Sequence, residues 1–333
     1  MNQPSLDDAA VLVEDLVKRF GAFTAVDGIS FSVRPGEIFG FLGPNGAGKS
    51  TTIRMLCGIL APTAGRGRVI GYDIMTQSES IKEHIGYMSQ RFSLYEDLTV
   101  EENIEFYGDI YGVPWPRLEE RKRWILEMAD LEQRARTLTR ELATGWKQRL
   151  ALGCALVHEP RMLFLDEPTA GVDPISRRQF WDLIYTSSQQ GVTVFVTTHY
   201  MDEAEHCDRI GLIYGGKLIA LGSSQQLKQR YVAGRLLELH VDPLMQALEL
   251  LERDPAAAEV AVFGAALHVV VENEAAERAV RQTLARAGVT IHHMETIVPS
   301  LEDAFVALIE QADRDQEGRR SSGSAAEVGA TQA

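Results

Sequence analysis

The chain has 333 residues, 45% of them hydrophobic, and carries a formal net charge of −14 at pH 7. This length can fold into one large domain and one small domain, each with its own core. The excess of acidic groups repels phosphate backbones, so the composition argues against nucleic acid as a partner. The three cysteines form no CxxC pair, which favours buried, reduced thiols over a disulfide framework or a metal site.

No targeting or membrane-spanning segment is predicted. The opening MNQPSLDDAA is acidic and lacks the apolar core of a signal peptide. The most apolar stretch, AAAEVAVFGAALHVVV, is interrupted by Glu259, Gly264 and His268. We therefore expect a cytoplasmic protein, for which any membrane role would need a separate subunit.

The first two thirds of the chain predict a parallel sheet with crossover helices. AVLVEDLVKRF and GISFSV predict strands, GEIFGFLG a buried strand, KSTTIRMLCGIL a helix and APTAGRG a turn. A charged helical section extends from about Thr99 to Val157. After it, the strands RMLFLDE, VTVFVTTH and RIGLIY alternate with helical segments, which is typical of an α/β domain.

After about Tyr231 the pattern changes to that of a second, smaller module. Strand, helix, strand, strand, helix and strand follow one another in LLELHV, PLMQALELLERD, EVAVFG, ALHVVVE, AAERAVRQTLARAG and VTIHHMETIV, and SLEDAFVALIEQ closes the series as a helix. This order predicts a ferredoxin-like α+β module. The polar segment that follows is predicted to be disordered.

The stretch GPNGAGKST fits the phosphate-binding pattern G-x-x-x-x-G-K-[ST]. Glycines allow the backbone to approach a phosphate closely, and the N–H groups of the following helix start face the anion. Lys49 can reach the β- and γ-phosphates, and Ser50 can ligate Mg²⁺. The alternative is a plain glycine turn, but the motif follows a predicted strand and opens a predicted helix. The candidate nucleotide-binding residues here are Gly43, Pro44, Asn45, Gly46, Ala47, Gly48, Lys49, Ser50 and Thr51.

Three further polar residues follow predicted strands. Asp166 and Glu167 end RMLFLDE, where they could be no more than solvated carboxylates. Beside a phosphate loop, Asp166 suits a magnesium ligand, and Glu167 suits a base that orients and deprotonates water. His199 ends the next strand; because neighbouring parallel strands end at the same edge of a sheet, it should lie near the phosphates.

Together these residues resemble the nucleotide-binding subunit of an ATP-binding cassette (ABC) transporter, over roughly Val11 to Leu227. The resemblance implies a P-loop NTPase fold with a parallel core sheet, an antiparallel β subdomain and a helical subdomain, and it implies ATP and Mg²⁺ as cofactors. The expected ranges are a flexible N-terminus over 1–9, an ATP-binding domain over 10–230, an accessory module over 231–311 and a disordered tail over 312–333.

The resemblance also implies roles for single residues. Phe20 would stack on adenine, Gln90 would sense magnesium and face the membrane partner, and His199 would contact the γ-phosphate. LATG matches the signature that contacts the partner subunit's nucleotide, and AGVDP matches a loop at the dimer interface. The implied sets are Lys49, Glu167 and His199 for catalysis, Ser50, Gln90 and Asp166 for the metal, and Leu142, Ala143, Thr144, Gly145 and Asp173 for the signature and dimer interface.

The motif GWKQR and the C-terminal module most resemble those of cassettes of the multidrug, daunorubicin-resistance-like export type. The expected function is MgATP hydrolysis that energises a separate transmembrane permease. The chain is expected to act in a head-to-tail dimer, formed with a second copy of itself or with a related cassette. The alternative is a soluble cassette ATPase of the translation-factor or repair type. Those usually join two cassettes or insert a long coiled coil, and this sequence shows neither. A third possibility, a small-GTPase-like switch, is disfavoured by Glu167 after Asp166 and by His199.

The signature departs from the family pattern, Leu-Ser-Gly-Gly-Gln. Ala143 replaces the serine and Thr144 the first glycine, while Trp146 replaces a usual polar residue or methionine. Gly145 and the helix after it remain, so N–H groups can still face a phosphate. We expect the altered signature to weaken hydrolysis across the dimer without abolishing it.

A group of aromatic residues leaves two interpretations open. They line a groove for a partner's coupling helix, or they pack a small helical core. The residues are Phe92, Tyr95, Phe106, Tyr107 and Tyr111.

Overall fold

The computed structural model describes residues 9–90, 93–231, 234–309 and 311–314. Phe92 and most of the two predicted tails, residues 1–8 and 315–333, lie outside the described residues. Contacts divide the chain into two compact units, residues 1–221 and 222–333. The division falls before the expected boundary after residue 230, and the domain ranges remain predictions.

Strands and helices are numbered in chain order. The strands are β1 Val11–Phe20, β2 Phe23–Val33, β3 Ile38–Leu42, β4 Ala64–Val69, β5 Tyr72–Asp73, β6 Ile85–Met88, β7 Met162–Asp166, β8 Thr193–Thr198, β9 Arg209–Tyr214, β10 Lys217–Gly222, β11 Arg235–Asp242, β12 Glu259–Phe263, β13 Ala266–Val271 and β14 Thr290–Ile297. The helices are α1 Lys49–Leu56, α2 Ser78–His84, α3 Val100–Ile110, α4 Trp115–Met128, α5 Thr144–Leu156, α6 Pro174–Gln189, α7 Met201–Ala204, α8 Ser224–Tyr231, α9 Leu244–Leu251 and α10 Glu274–Arg286. Residues 301–309, the closing helix, and residues 311–314 are also helical.

The central sheet of the first unit positions the predicted site. Its strand order is β10-β9-β3-β8-β7-β6, and the pairs β9–β3, β3–β8, β8–β7 and β7–β6 are parallel. β3, β7 and β8 are buried along their whole length, as expected for strands covered on both faces. Because parallel strands end at one edge, the segments that follow β3, β7 and β8 converge there.

The antiparallel sheet of the first unit has the order β2-β1-β4-β5. The turn predicted for APTAGRG is partly wrong, because β4 begins within it at Ala64 and pairs with β1. Gly65 has φ +83°, and a Cβ there would lie 2.2 Å from the carbonyl oxygen of Asp15. Gly65, which suggested a turn, therefore allows the backbones of β4 and β1 to approach closely at an irregularity in their pairing.

The section from Thr99 to Val157 is helical as predicted. Thr99 caps α3 in a capping box, with its side chain accepting from the Glu102 N–H. Apolar residues of α3, α4 and α5 form a separate core that includes Ile104, Leu118 and Leu150. The expected three-part cassette fold is thereby confirmed.

The second unit confirms the ferredoxin-like prediction. Its sheet has the order β12-β13-β11-β14, with antiparallel neighbours throughout, and α9 and α10 are the two connecting helices. Leu237, Leu239, Leu267 and Val269 lie in a core that α9 and α10 complete.

Candidate nucleotide-binding site

The phosphate loop connects β3 to α1. Gly48 caps α1 with φ +108°, a conformation that strongly favours glycine. At Gly43 an added Cβ would lie 2.2 Å from the Ile213 carbonyl oxygen, so this position also excludes a side chain. The Lys49 ammonium is buried and donates hydrogen bonds to the carbonyl oxygens of Gly43 at 2.7 Å and Pro44 at 3.1 Å. The Lys49 side chain and the start of α1 are thus held in the arrangement that binds phosphate.

Asp166 ends β7 beside this loop. Its Oδ1 accepts hydrogen bonds from Ser50 Oγ at 2.9 Å and Thr197 Oγ1 at 2.8 Å. Burial raises the pKa of Asp166 above its ordinary value, against the opposing effect of these two hydroxyl groups. Hard oxygen ligands of this kind suit Mg²⁺, which proteins usually bind through one or two carboxylates together with substrate phosphates. Ser50 and Asp166 therefore fit the metal that the fold implies.

Glu167 lies at the centre of the site. One carboxylate oxygen is 3.0 Å from Lys49 Nζ, and the other accepts from Gln90 Nε2 at 3.1 Å and lies 3.3 Å from His199 Nδ1. Its backbone is left-handed, with φ +49°, and its N–H donates to the Thr197 carbonyl oxygen at 3.1 Å. Residues far apart in sequence thus meet around one buried carboxylate, as the strand ends predicted.

An open groove of about 380 Å³ extends from this cluster to the β1–β2 hairpin. Lys49, Ser50, Gln90 and Glu167 line it, as do predicted loop residues and two aromatic side chains. Phe20, predicted to stack on adenine, is 49% exposed there, and Lys18 Nζ lies 5.1 Å from its ring centre. A volume of this order suits a ligand of nucleotide size.

Sequence reasoning missed Phe23. It pairs with Phe20 across the two-residue turn between β1 and β2, is 62% exposed and lines the same groove. Its signal was the spacing: two aromatic residues that flank a tight turn and face each other in register. The second ring offers another apolar contact for a base.

The signature residues are not among those that line the groove. Leu142 is buried, whereas Ala143, which caps α5 without a side-chain hydrogen bond, and Thr144 are exposed. A Cβ on Gly145 would lie 2.8 Å from Ser176 Oγ, which places the signature against the start of α6. Asp173 caps that helix by accepting from the N–H groups of Ile175 and Ser176. The start of the signature is therefore accessible to a ligand from outside this chain.

Comparison with known proteins decides the family. Residues 26–170 match the ABC transporter family, and residues 222–309 match the C-terminal domain of DrrA1-3-like ATP-binding proteins. The chain is 37% identical over 309 residues to the linearmycin resistance ATP-binding protein LnrL of Bacillus subtilis, an alignment that covers 91% of this chain and 99% of LnrL. The chain belongs to the ABC transporter ATP-binding family. Proteins of this family are ATPases, and this cassette carries a DrrA-like C-terminal domain.

Two further relatives bear on the cassette. It is 52% identical over 221 residues to the probable multidrug ABC transporter ATP-binding protein YbhF of Escherichia coli, covering 66% of this chain but only 38% of YbhF. A solved dimeric cassette in a post-hydrolysis state, bound to ADP and Pi, superposes with a TM-score of 0.59 at 25% identity, over 64% of this chain and 98% of that one. In the part of this chain that the structure describes, no helix is both long and apolar enough to cross a membrane.

Proposed function

We propose that this chain is the cytoplasmic ATPase subunit of a membrane exporter. Two chains bind head to tail around two MgATP molecules and drive a separate transmembrane permease. The observation that carries the proposal is the Glu167 carboxylate, held between Lys49, Gln90 and His199 at the edge where Ser50 meets Asp166.

Each residue of the cluster has a task in phosphoryl transfer. Lys49 and the N–H groups at the start of α1 bind the β- and γ-phosphates. Ser50 and Asp166, with Gln90, would hold Mg²⁺, which would supply positive charge to neutralise the phosphates. Glu167 orients the attacking water and accepts its proton, and His199 donates a hydrogen bond to the γ-phosphate.

The hydrolysis proposal is tested with Glu167→Gln, which keeps the shape of the side chain and removes the base. Turnover should fall by about 10²- to 10⁴-fold, the usual contribution of a general base, while ATP affinity persists. The variant should also accumulate an ATP-bound dimer, seen as a doubled mass in size-exclusion chromatography. Phosphate release and fluorescent-ATP titration measure the two quantities.

Glu159→Gln is the matched control for that variant. Glu159 also has a left-handed backbone, with φ +58°, but its carboxylate pairs with Arg117 at the surface, 2.6 Å away. The control should hydrolyse ATP like the wild type. Near-normal phosphate release from Glu167→Gln would remove Glu167 from the role of base and, with it, this account of the site.

Export through a permease is supported by the relatives and by one surface. LnrL is a linearmycin resistance protein and YbhF a probable multidrug transporter protein, so we propose drugs or other hydrophobic compounds as the exported class. Tyr107 and Tyr111 pack on the helical core and also line a groove of about 200 Å³, which we propose as the permease contact.

Co-expression with a candidate transmembrane permease tests the assignment. The chain should then appear in washed membranes, and Tyr107→Ala or Tyr111→Ala should reduce the amount recovered. A chain that remains in the soluble fraction, although the candidate permease is inserted, would favour the cassette ATPase without a membrane partner.

A further inference from the structure

We propose that Glu203, with Arg177, is a positioning pair that holds the loops carrying Glu167 and His199 in place for ATP hydrolysis. The proposal rests on the proposed ATPase function and assigns to these two residues a role apart from nucleotide contact. Neither residue lines the nucleotide groove. Glu203 lies on α7, a four-residue helix that begins two residues after His199.

Glu203 is a buried carboxylate whose two oxygens bind two different segments, the turn after β7 and the end of β8. Its side chain is 1% exposed. One oxygen accepts a hydrogen bond from Thr169 Oγ1, and the other accepts from Thr198 Oγ1 at 2.6 Å. Hydrogen bonds to a charged acceptor are roughly twice as strong as neutral ones, and a buried carboxylate is costly unless it is paired. The arrangement therefore fixes both hydroxyl groups firmly.

These two threonines adjoin the proposed catalytic residues. Thr169 lies two residues after Glu167, and Thr198 immediately precedes His199. The Thr198 hydroxyl also accepts from the Tyr200 N–H at 3.0 Å, so the backbone is held on both sides of His199. One carboxylate thus sets the separation of the two loops whose side chains meet 3.3 Å apart at Glu167 and His199.

Arg177 extends the arrangement to α6. Its Nε lies 3.4 Å from Glu203 Oε1, and its guanidinium lies over the Tyr200 ring at 4.3 Å. Arg177 belongs to the first turn of α6, where its N–H donates to the carbonyl oxygen of the capping residue Asp173 at 2.9 Å. A shift of the Asp173 loop would therefore be transmitted to both catalytic loops through this ion pair, whose carboxylate is buried.

A second buried ion pair supplies a matched control. Glu37, 6% exposed, lies 3.2 Å from Arg209, and the two residues stand at the starts of β3 and β9. Because parallel strands begin at the edge opposite to the one where they end, this pair lies away from the nucleotide site. Removing the charge of Glu37 should cost stability in the same way as removing that of Glu203, without disturbing the catalytic loops.

The experiment compares Glu203→Gln, Thr198→Val and Glu37→Gln in the full chain. Glu203→Gln and Thr198→Val should lower kcat by about 10- to 100-fold, since small misplacements of catalytic groups cost rates of that size. KM and the Kd for fluorescent ATP should stay within about threefold of the wild type, because the phosphate loop is intact. Glu37→Gln should keep the wild-type kcat.

Hydrogen exchange followed by mass spectrometry gives a readout that needs no turnover. Peptides containing residues 167–170 and 197–201 should exchange faster in Glu203→Gln and Thr198→Val than in Glu37→Gln. Unchanged exchange in both peptides, or a wild-type kcat in a folded Glu203→Gln protein, would overturn the positioning role. A wild type that is inactive, and that Ala143→Ser with Thr144→Gly does not activate, would instead refute the ATPase proposal; the exchange comparison would still decide whether Glu203 orders the loops.

Discussion

The substitution Ala143→Ser tests the altered signature on two separate quantities. Ala143 caps α5 with φ −64° and ψ 155°, an extended conformation that a capping serine adopts without change, but it offers no side-chain acceptor to the first turn. A serine oxygen there can accept from an N–H of that turn while its own O–H remains free to donate. The same side chain can therefore stabilise the helix and bind a partner's γ-phosphate.

Both effects have definite sizes. A serine in place of alanine at such a position stabilises a protein by about 1 kcal/mol, which raises the melting temperature of a unit this large by roughly 2–4 °C. A hydroxyl bonded to a charged phosphate contributes roughly 1.5–3 kcal/mol, a limit of about 10- to 150-fold in rate. Because the exposed start of α5 can already bind a phosphate through its helix N-terminus, we expect a gain in turnover of no more than about tenfold.

Ala143→Asp separates the two effects. Aspartate caps a helix as well as serine does, so both variants should raise the melting temperature. Its negative charge would oppose a phosphate, so Ala143→Asp should lower ATP turnover of the purified subunit while Ala143→Ser raises it. Equal turnover in the two variants would show that residue 143 does not face a nucleotide. A silent wild type that gains several hundredfold from Ala143→Ser with Thr144→Gly would show that a partner cassette supplies the working signature.

Two further predictions concern stability. Burial lowers the pKa of His158 from its ordinary value to about 4. Between about pH 6.5 and pH 4, therefore, the imidazole binds a proton in the unfolded chain but not in the folded one. The free energy of unfolding should fall as the pH is lowered across that window and level off below it. His158→Gln should reduce the difference in unfolding free energy between pH 7 and pH 4.5 by about 2 kcal/mol in urea titrations, and an unchanged difference would contradict a neutral buried His158. The Asp303 carboxylate accepts hydrogen bonds from the Ser300 N–H at the start of the closing helix and from His268 at 2.6 Å. Asp303→Asn should therefore destabilise the second unit by about 1–3 kcal/mol. The affinity for fluorescent ATP should stay unchanged. Reduced ATP affinity would assign the second unit a part in nucleotide binding.

The sequence predicted those parts of the fold whose signals are local. The alternation of strands and helices and the β-α-β-β-α-β order both persist in the structure. The sequence did not predict β4, because a glycine such as Gly65 is typical of a turn. The reason for this glycine, the close approach of the Asp15 backbone, becomes visible only in the structure. The four-residue strand β6 is defined by its parallel pairing with β7, which a local pattern does not contain.

The site divides in the same way. Lys49, Asp166 and Glu167 belong to motifs, and the common edge of parallel strands correctly predicted that His199 would join them. Thr197 and Glu203 carry no motif, since a threonine in a strand and a glutamate in a short helix have many ordinary uses. Their relation to the site depends on hydrogen bonds between separate strands and helices, which only the folded arrangement reveals.

The Lys49–Glu167 pair leads to the last prediction. Both side chains are buried, and each compensates the charge of the other at 3.0 Å. ATP would give Lys49 phosphate oxygens to bind and so release Glu167 toward the attacking water. Lys49→Ala should therefore weaken ATP binding and also lower the free energy of unfolding without nucleotide by about 3–5 kcal/mol, because it leaves a carboxylate buried and unpaired. The double variant Lys49→Ala with Glu167→Gln should recover much of that stability but none of the ATP affinity. Urea unfolding and fluorescent-ATP titration measure the two effects, and a double variant no more stable than Lys49→Ala would show that the pair does not compensate buried charge.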